Sequence, residues 1–151
     1  MGTYSVKTVA NEFIDISSKS DKPLTNMQLQ KLVFIANGFS LAMLDNALYH
    51  DDTNAWQWGP VIPNLYKVLQ KYGRNFVTEK LACHDELPLG EDQKEIINAV
   101  WEGYGHLSAY ELSTITHKPN TPWSKSWREN HFSVIPEKLI SEHYLNIIES
   151  T

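Results

Sequence analysis

The stretch Thr25–Met43, TNMQLQKLVFIANGFSLAM, decides how the rest of the chain is read. Thr25 followed three residues later by Gln28 fits a capping box, in which two side chains satisfy free N–H groups at a helix start. Leu29, Leu32, Val33, Ala36, Phe39 and Met43 then recur at helical spacing as one apolar stripe. Phe34, Ile35 and Leu41 add apolar residues outside that stripe. A helix that is apolar on most sides is a central one, packed on several neighbours. Gly38 inside it sacrifices about 1 kcal/mol of helix propensity relative to alanine, which fits close packing of another helix there.

Shorter elements surround this helix. Val6, Val9, Ala10, Phe13 and Ile14 mark a first helix over about residues 6–18, followed by a polar turn through Pro23. After the central helix, Ala47–His50 and Ala55–Trp58 flank the cluster Asp51-Asp52-Thr53-Asn54 and read as a small β-hairpin ended by Gly59-Pro60. Pro63 opens a helix with Leu65, Tyr66, Leu69 and Tyr72 on one face and Gly73 after it. Residues 74–90 read as loop, with a short strand as an alternative over Phe76–Cys83. Ile96, Ile97, Val100, Trp101 and Tyr104 mark a helix over about 91–103. Ser108 and Glu111 form a second capping box, Thr121-Pro122 a cap with its first helical residue, and Ile135-Pro136 the start of a C-terminal helix. The expected fold is mainly α: residues 1–151 as a single compact multi-helix domain of about six or seven helices with a small inserted β-hairpin.

Composition excludes several functions. Apolar residues make up 42% of 151, enough to build a core. Net charge is 13 − 18 = −5, and the acidity lies in the second half: residues 76–151 carry 6 basic and 12 acidic side chains. A mildly acidic chain without a basic cluster is a poor ligand for a phosphate backbone, so no nucleic-acid partner is expected. The lone Cys83 forms no internal disulfide, and no apolar run is long enough for a membrane span. The chain reads as cytoplasmic.

The six histidines show no zinc-helix spacing, and Cys83-His84-Asp85 are neighbours in sequence, a poor chelating arrangement. There is no nucleophile elbow and no phosphate-binding glycine loop. Metal, cofactor and catalytic residues are therefore all expected to be none; a small hydrolase or ligand-binding enzyme around Glu111, His117 and Trp123 is the rival reading. Trp56, Trp58, Trp123 and Trp127 lie at element ends or turns, where tryptophan either fills the core or anchors a partner.

Three segments in order carry a resemblance. MQLQKLVFIANGFSLAM at 27–43, AWQWGPVIPNLY at 55–66 and YGHLSAYELSTITHKPNTPW at 104–123 together resemble the SocA-like family, also called the Panacea antitoxin domain and related to phage-associated GepA-type proteins. The signature positions are Gln30, Lys31, Leu32, Ala55, Trp56, Gly59, Pro60, Val61, Leu65, Tyr66, Leu112, Ser113, Thr116, His117, Pro122 and Trp123, most of them structural. Thr116 and His117 are placed to close a polar network under Trp123. The resemblance implies an antitoxin of a bacterial or phage toxin–antitoxin pair that neutralises a cognate toxin by direct binding. Its alternatives are a proteolytic adaptor delivering the toxin to ClpXP, and a phage or prophage interaction protein that inhibits a host factor. It implies no enzymatic activity and no cofactor; self-association is compatible with it. The toxin-contacting surface is expected at the turn 50–54, the loop 77–90 or the acidic helix 91–102. Trp58, Asp51, Asp52, Glu91, Glu95 and Trp127 are the candidate contact residues. The chain opens directly into its first helix, so operon self-regulation through an added DNA-binding module is not expected.

Overall fold

The computed structural model describes residues 4–83 and 87–150. His84 and Asp85 of the Cys83-His84-Asp85 run lie outside the described residues. The helices are α1 (Val6–Lys19), α2 (Asn26–Leu44), α3 (Pro63–Leu69), α4 (Glu91–Tyr104), α5 (Ala109–Thr116), α6 (Pro122–Glu129) and α7 (Glu137–Glu149). A 3-10 turn, Gln70–Tyr72, extends α3. The inserted hairpin consists of β1 (Asn54–Trp56) and β2 (Gly59–Val61). Among the described residues, no helix is long and apolar enough to cross a membrane.

Helix α2 is central, as its all-round apolarity predicts. It touches α1, α3, α4, α5, α7 and β2. Thr25 and Gln28 form the capping box at its start. The boxes at Ser108/Glu111 and Thr121/Ser124 start α5 and α6 in the same way. Gly38 is the contact point for α7: a Cβ there would lie 2.2 Å from Cδ2 of the buried Tyr144 ring. That ring also packs edge-on against Phe34 and Phe39, with centroids 6.2 and 4.9 Å away. One member of the expected stripe departs from the core: Met43 is 62% exposed. It lies in the last turn of α2, where burial gives way to partial exposure at Ala42 and Leu44.

The hairpin exists but is shifted from its expected position. Its strands pair Asn54 with Val61, Ala55 with Pro60 and Trp56 with Gly59, so the tip is Gln57-Trp58 rather than Asp51–Asn54. Gly59-Pro60 belongs to the second strand instead of ending the hairpin. The segment Ala47–Tyr49 is buried and bound to Tyr4 and to α2 rather than paired with Ala55–Trp58. Asn37 of α2 accepts the Leu48 N–H through its side-chain oxygen at 2.7 Å, and His50 N–H donates to Tyr4 C=O at 3.0 Å. These non-local partners outcompete a local strand pairing. The stretch 74–83 is loop apart from an isolated bridge between Phe76 and Thr25.

Candidate functional site

The hairpin is braced from three sides by side chains of the helices. From α2, two consecutive residues reach β2 and the residue after it. Gln30 is fully buried; its amide nitrogen donates to Asn26 Oδ1 at 3.1 Å and its oxygen accepts Ile62 N–H at 2.9 Å. Lys31 is also fully buried, and its Nζ donates to Pro60 C=O at 2.7 Å. Burial lowers the Lys31 ammonium to about 7. Desolvation is the cause, since taking a charge out of water penalises its protonated form. Gly59 has φ +120, a conformation that side-chain-bearing residues rarely adopt, and a Cβ there would lie 3.3 Å from Lys31 Nζ. The lysine and the glycine therefore fit as a pair.

From α5 and α6 come the ties to the tip. Ser113 Oγ donates to Trp58 C=O at 2.6 Å, and Trp123 Nε1 donates to Trp56 C=O at 2.6 Å. On the outer side of β1, Ala55 N–H donates to Ser133 C=O and Phe132 N–H to Ala55 C=O, at 2.8 and 2.9 Å. With the backbone held on both sides of the turn, the Trp58 side chain projects outward, 64% exposed.

An aromatic column runs beside the tip. His117 sits edge-on to Trp123, Trp123 stacks on Trp127 at 5.6 Å, and Trp127 stacks on His131 at 3.8 Å. Trp123 is buried, whereas Trp127 is half-buried and its neighbour Phe132 is 57% exposed. Tyr66 packs edge-on to Trp56, centroids 5.1 Å apart. The hydroxyl of buried Thr116 donates to Leu112 C=O at 2.9 Å. His117 Nδ1 contacts Ser113 C=O within the same helix end. Thr116 and His117 thus each bond back to carbonyls of α5, and it is His117 whose ring lies against Trp123.

The candidate contact residues are scattered over this framework. Trp58 and Trp127 lie at the hairpin end. Asp51 is turned inward: its carboxylate accepts Val6 N–H at 2.8 Å, capping α1, and Asn64 Nδ2 at 2.8 Å. Asp52 is exposed beside it, and Glu91 and Glu95 are exposed on α4. The segment 50–54 is not a turn tip, and buried Thr53 bonds the Tyr49 hydroxyl at 2.6 Å. Of the Glu111, His117 and Trp123 group, Glu111 is exposed and spent on its capping box. The Ser108 N–H hydrogen bond holds its carboxyl below the usual range. The role of Gln30 and Lys31 as a clamp on the hairpin was not legible from the sequence. The available signal was a Gln-Lys pair inside an otherwise apolar helix, where buried polar groups demand partners.

The family model for SocA-like antitoxins with a Panacea domain matches residues 29–124. The chain belongs to this family. The matched span begins one residue before the Gln30-Lys31 clamp and ends one residue past Trp123, so it contains the α2, α5 and Trp123 braces of the hairpin. Antitoxin SocA of Caulobacter vibrioides (strain NA1000 / CB15N) is 29% identical over 130 residues, covering 80% of this chain and 69% of that protein. No solved structure matches. Within the matched span, Gln30, Lys31, Ser113 and Trp123 brace the hairpin, while Leu32, Leu65 and Leu112 belong to the core.

Proposed function

We propose that this Panacea-domain chain is an antitoxin that neutralises a cognate protein toxin by direct contact, with the braced hairpin tip as part of the binding surface. The observation that carries this reading is Trp58. A large aromatic side chain stands 64% exposed on a turn whose backbone carbonyls are fixed by Ser113 and Trp123. Tryptophan is enriched among residues that dominate binding energy, and a rigid mount lowers the entropy lost on association. Half-buried Trp127 and exposed Phe132 pack together on the side of the hairpin where Phe132 N–H bonds Ala55 C=O. The reading gives the chain no catalytic role: Lys31 is sealed from solvent and Glu111 is a cap.

The test is co-expression with the product of the adjacent gene. Restored growth together with a stable complex is the expected outcome. Trp58→Ala should weaken that complex by about 30-fold, the equivalent of a hot-spot residue, while its melting curve stays near wild type. Failure to rescue growth, or a wild-type complex that ignores Trp58→Ala, removes the hairpin-contact reading. Rescue with loss of toxin protein in place of a stoichiometric complex replaces occlusion by delivery to a protease.

A further inference from the structure

A second surface lies where the C-terminal part of α2 and the exposed side of α4 meet the end of α7. It is a cleft of roughly 420 Å³, floored by Phe39, Ile96, Val100 and Tyr104 and bordered by Met43 and Ile148. Met43 is the stripe residue that leaves the core, and it lies here.

Along α4, Asp92, Glu95, Ala99 and Gly103 follow one another at three- and four-residue steps, so they share one side of the helix, and all are exposed. Ala99 and Gly103 are small, and a Cβ at Gly103 would meet nothing within 4 Å. A second backbone can approach closely along that line. The charged side chains lining the cleft are Asp92 and Glu95, with no lysine or arginine among the lining residues. Glu91 and Glu102 add further exposed carboxylates on α4.

We propose that this cleft docks an amphipathic helix of a protein partner. The helix would lay apolar side chains over Met43 and Phe39 and set lysine or arginine side chains beside Asp92 and Glu95. Helix-in-groove recognition takes its affinity from apolar anchors at helical spacing, and flanking charge complementarity sets register and encounter rate. A second copy of this chain is a poor occupant. Its net charge is −5, and a two-fold contact through the cleft brings the same acidic rim to both sides. The cleft shares no lining residue with the hairpin tip, so the inference stands apart from the role proposed for Trp58.

The full chain is titrated into a fluorescein-labelled leucine–lysine peptide of about 18 residues, patterned as an amphipathic helix. A second peptide has the same composition in scrambled order, and a third has the pattern with glutamate in place of lysine. The patterned basic peptide should bind at least about tenfold tighter than either control. Ala99→Lys, and separately Asp92→Asn with Glu95→Gln, should each weaken it by about tenfold with an unchanged circular dichroism spectrum. Amide shifts in the complex should concentrate on α4 and the end of α2. Equal binding of the scrambled or glutamate peptide, absence of binding, or wild-type affinity in both variants overturns the proposal.

Discussion

Replacing Lys31 by methionine exposes the hairpin clamp through its pH dependence. Lys31 is fully buried, and burial lowers its ammonium from 10.5 to about 7. Between those values the unfolded chain holds a proton on this lysine that the folded chain lacks. Stability rises with pH wherever the unfolded state binds more protons. The slope is about 1.4 kcal/mol per pH unit, so the whole window amounts to about 5 kcal/mol. The penalty is absent above the unfolded value, grows as pH falls, and levels off below about 7, where both states are protonated. Buried Tyr49 and Tyr144 act in the opposite sense at higher pH: burial raises both phenols, while the unfolded chain ionises them near 10. The clean interval is therefore about pH 7.5 to 9.5, across which Lys31 contributes about 3 kcal/mol. Urea unfolding of wild type and Lys31→Met across that interval measures it. Other titrating groups are common to both proteins and cancel in the difference. The wild type should gain about 3 kcal/mol relative to the variant as the pH rises. Parallel pH profiles would refute the argument that a sealed, easily deprotonated amine holds Pro60.

Two further substitutions probe the packing of α7 on α2 and one brace of the hairpin. Gly38→Ala drives a methyl group into the Tyr144 ring and should cost about 1–3 kcal/mol by denaturant unfolding, with part of it recovered when Tyr144→Leu is added; an additive double mutant contradicts the contact. Trp123→Phe keeps an aromatic ring in the column but strips the donor from Trp56 C=O, for a loss of about 1 kcal/mol in thermal unfolding; an unchanged melting temperature shows that this brace is dispensable.

The legibility of the chain followed the range of the interactions involved. Helix starts were readable because a capping box is a four-residue signal: Thr25/Gln28 and Ser108/Glu111 behave as their spacing says. Gly38 was readable because a glycine inside a strong helix has few reasons to be there other than close approach. The hairpin register was not readable. Apolar runs on either side of an acidic cluster suggest local pairing, yet Ala47–Tyr49 is claimed by Asn37 and Tyr4, and Asp51 by Val6. Those partners are distant in sequence. The same limit hid the clamp, since nothing near Lys31 in the chain announces that its amine ends on Pro60. The exposure of Met43 is not legible because a helix apolar on every side gives no phase from which to pick its uncovered edge. The cleft beside it depends on where α7 ends, a tertiary fact.

The bonds around the hairpin have a consequence for how another chain can approach it. A two-stranded ribbon ordinarily offers two rows of unsatisfied N–H and C=O groups, a template for an incoming strand and for aggregation. Here the β1 side pairs with residues 132–135, through Ala55 and through Thr53 C=O, which accepts Ile135 N–H at 2.8 Å. On the β2 side, the Pro60 carbonyl is taken by Lys31 and the Ile62 N–H by Gln30, and proline brings no N–H of its own. Side chains of a helix thus stand in for a missing strand. The hairpin is closed to β-augmentation, so a partner at this end has to recognise side chains such as Trp58 rather than extend a sheet.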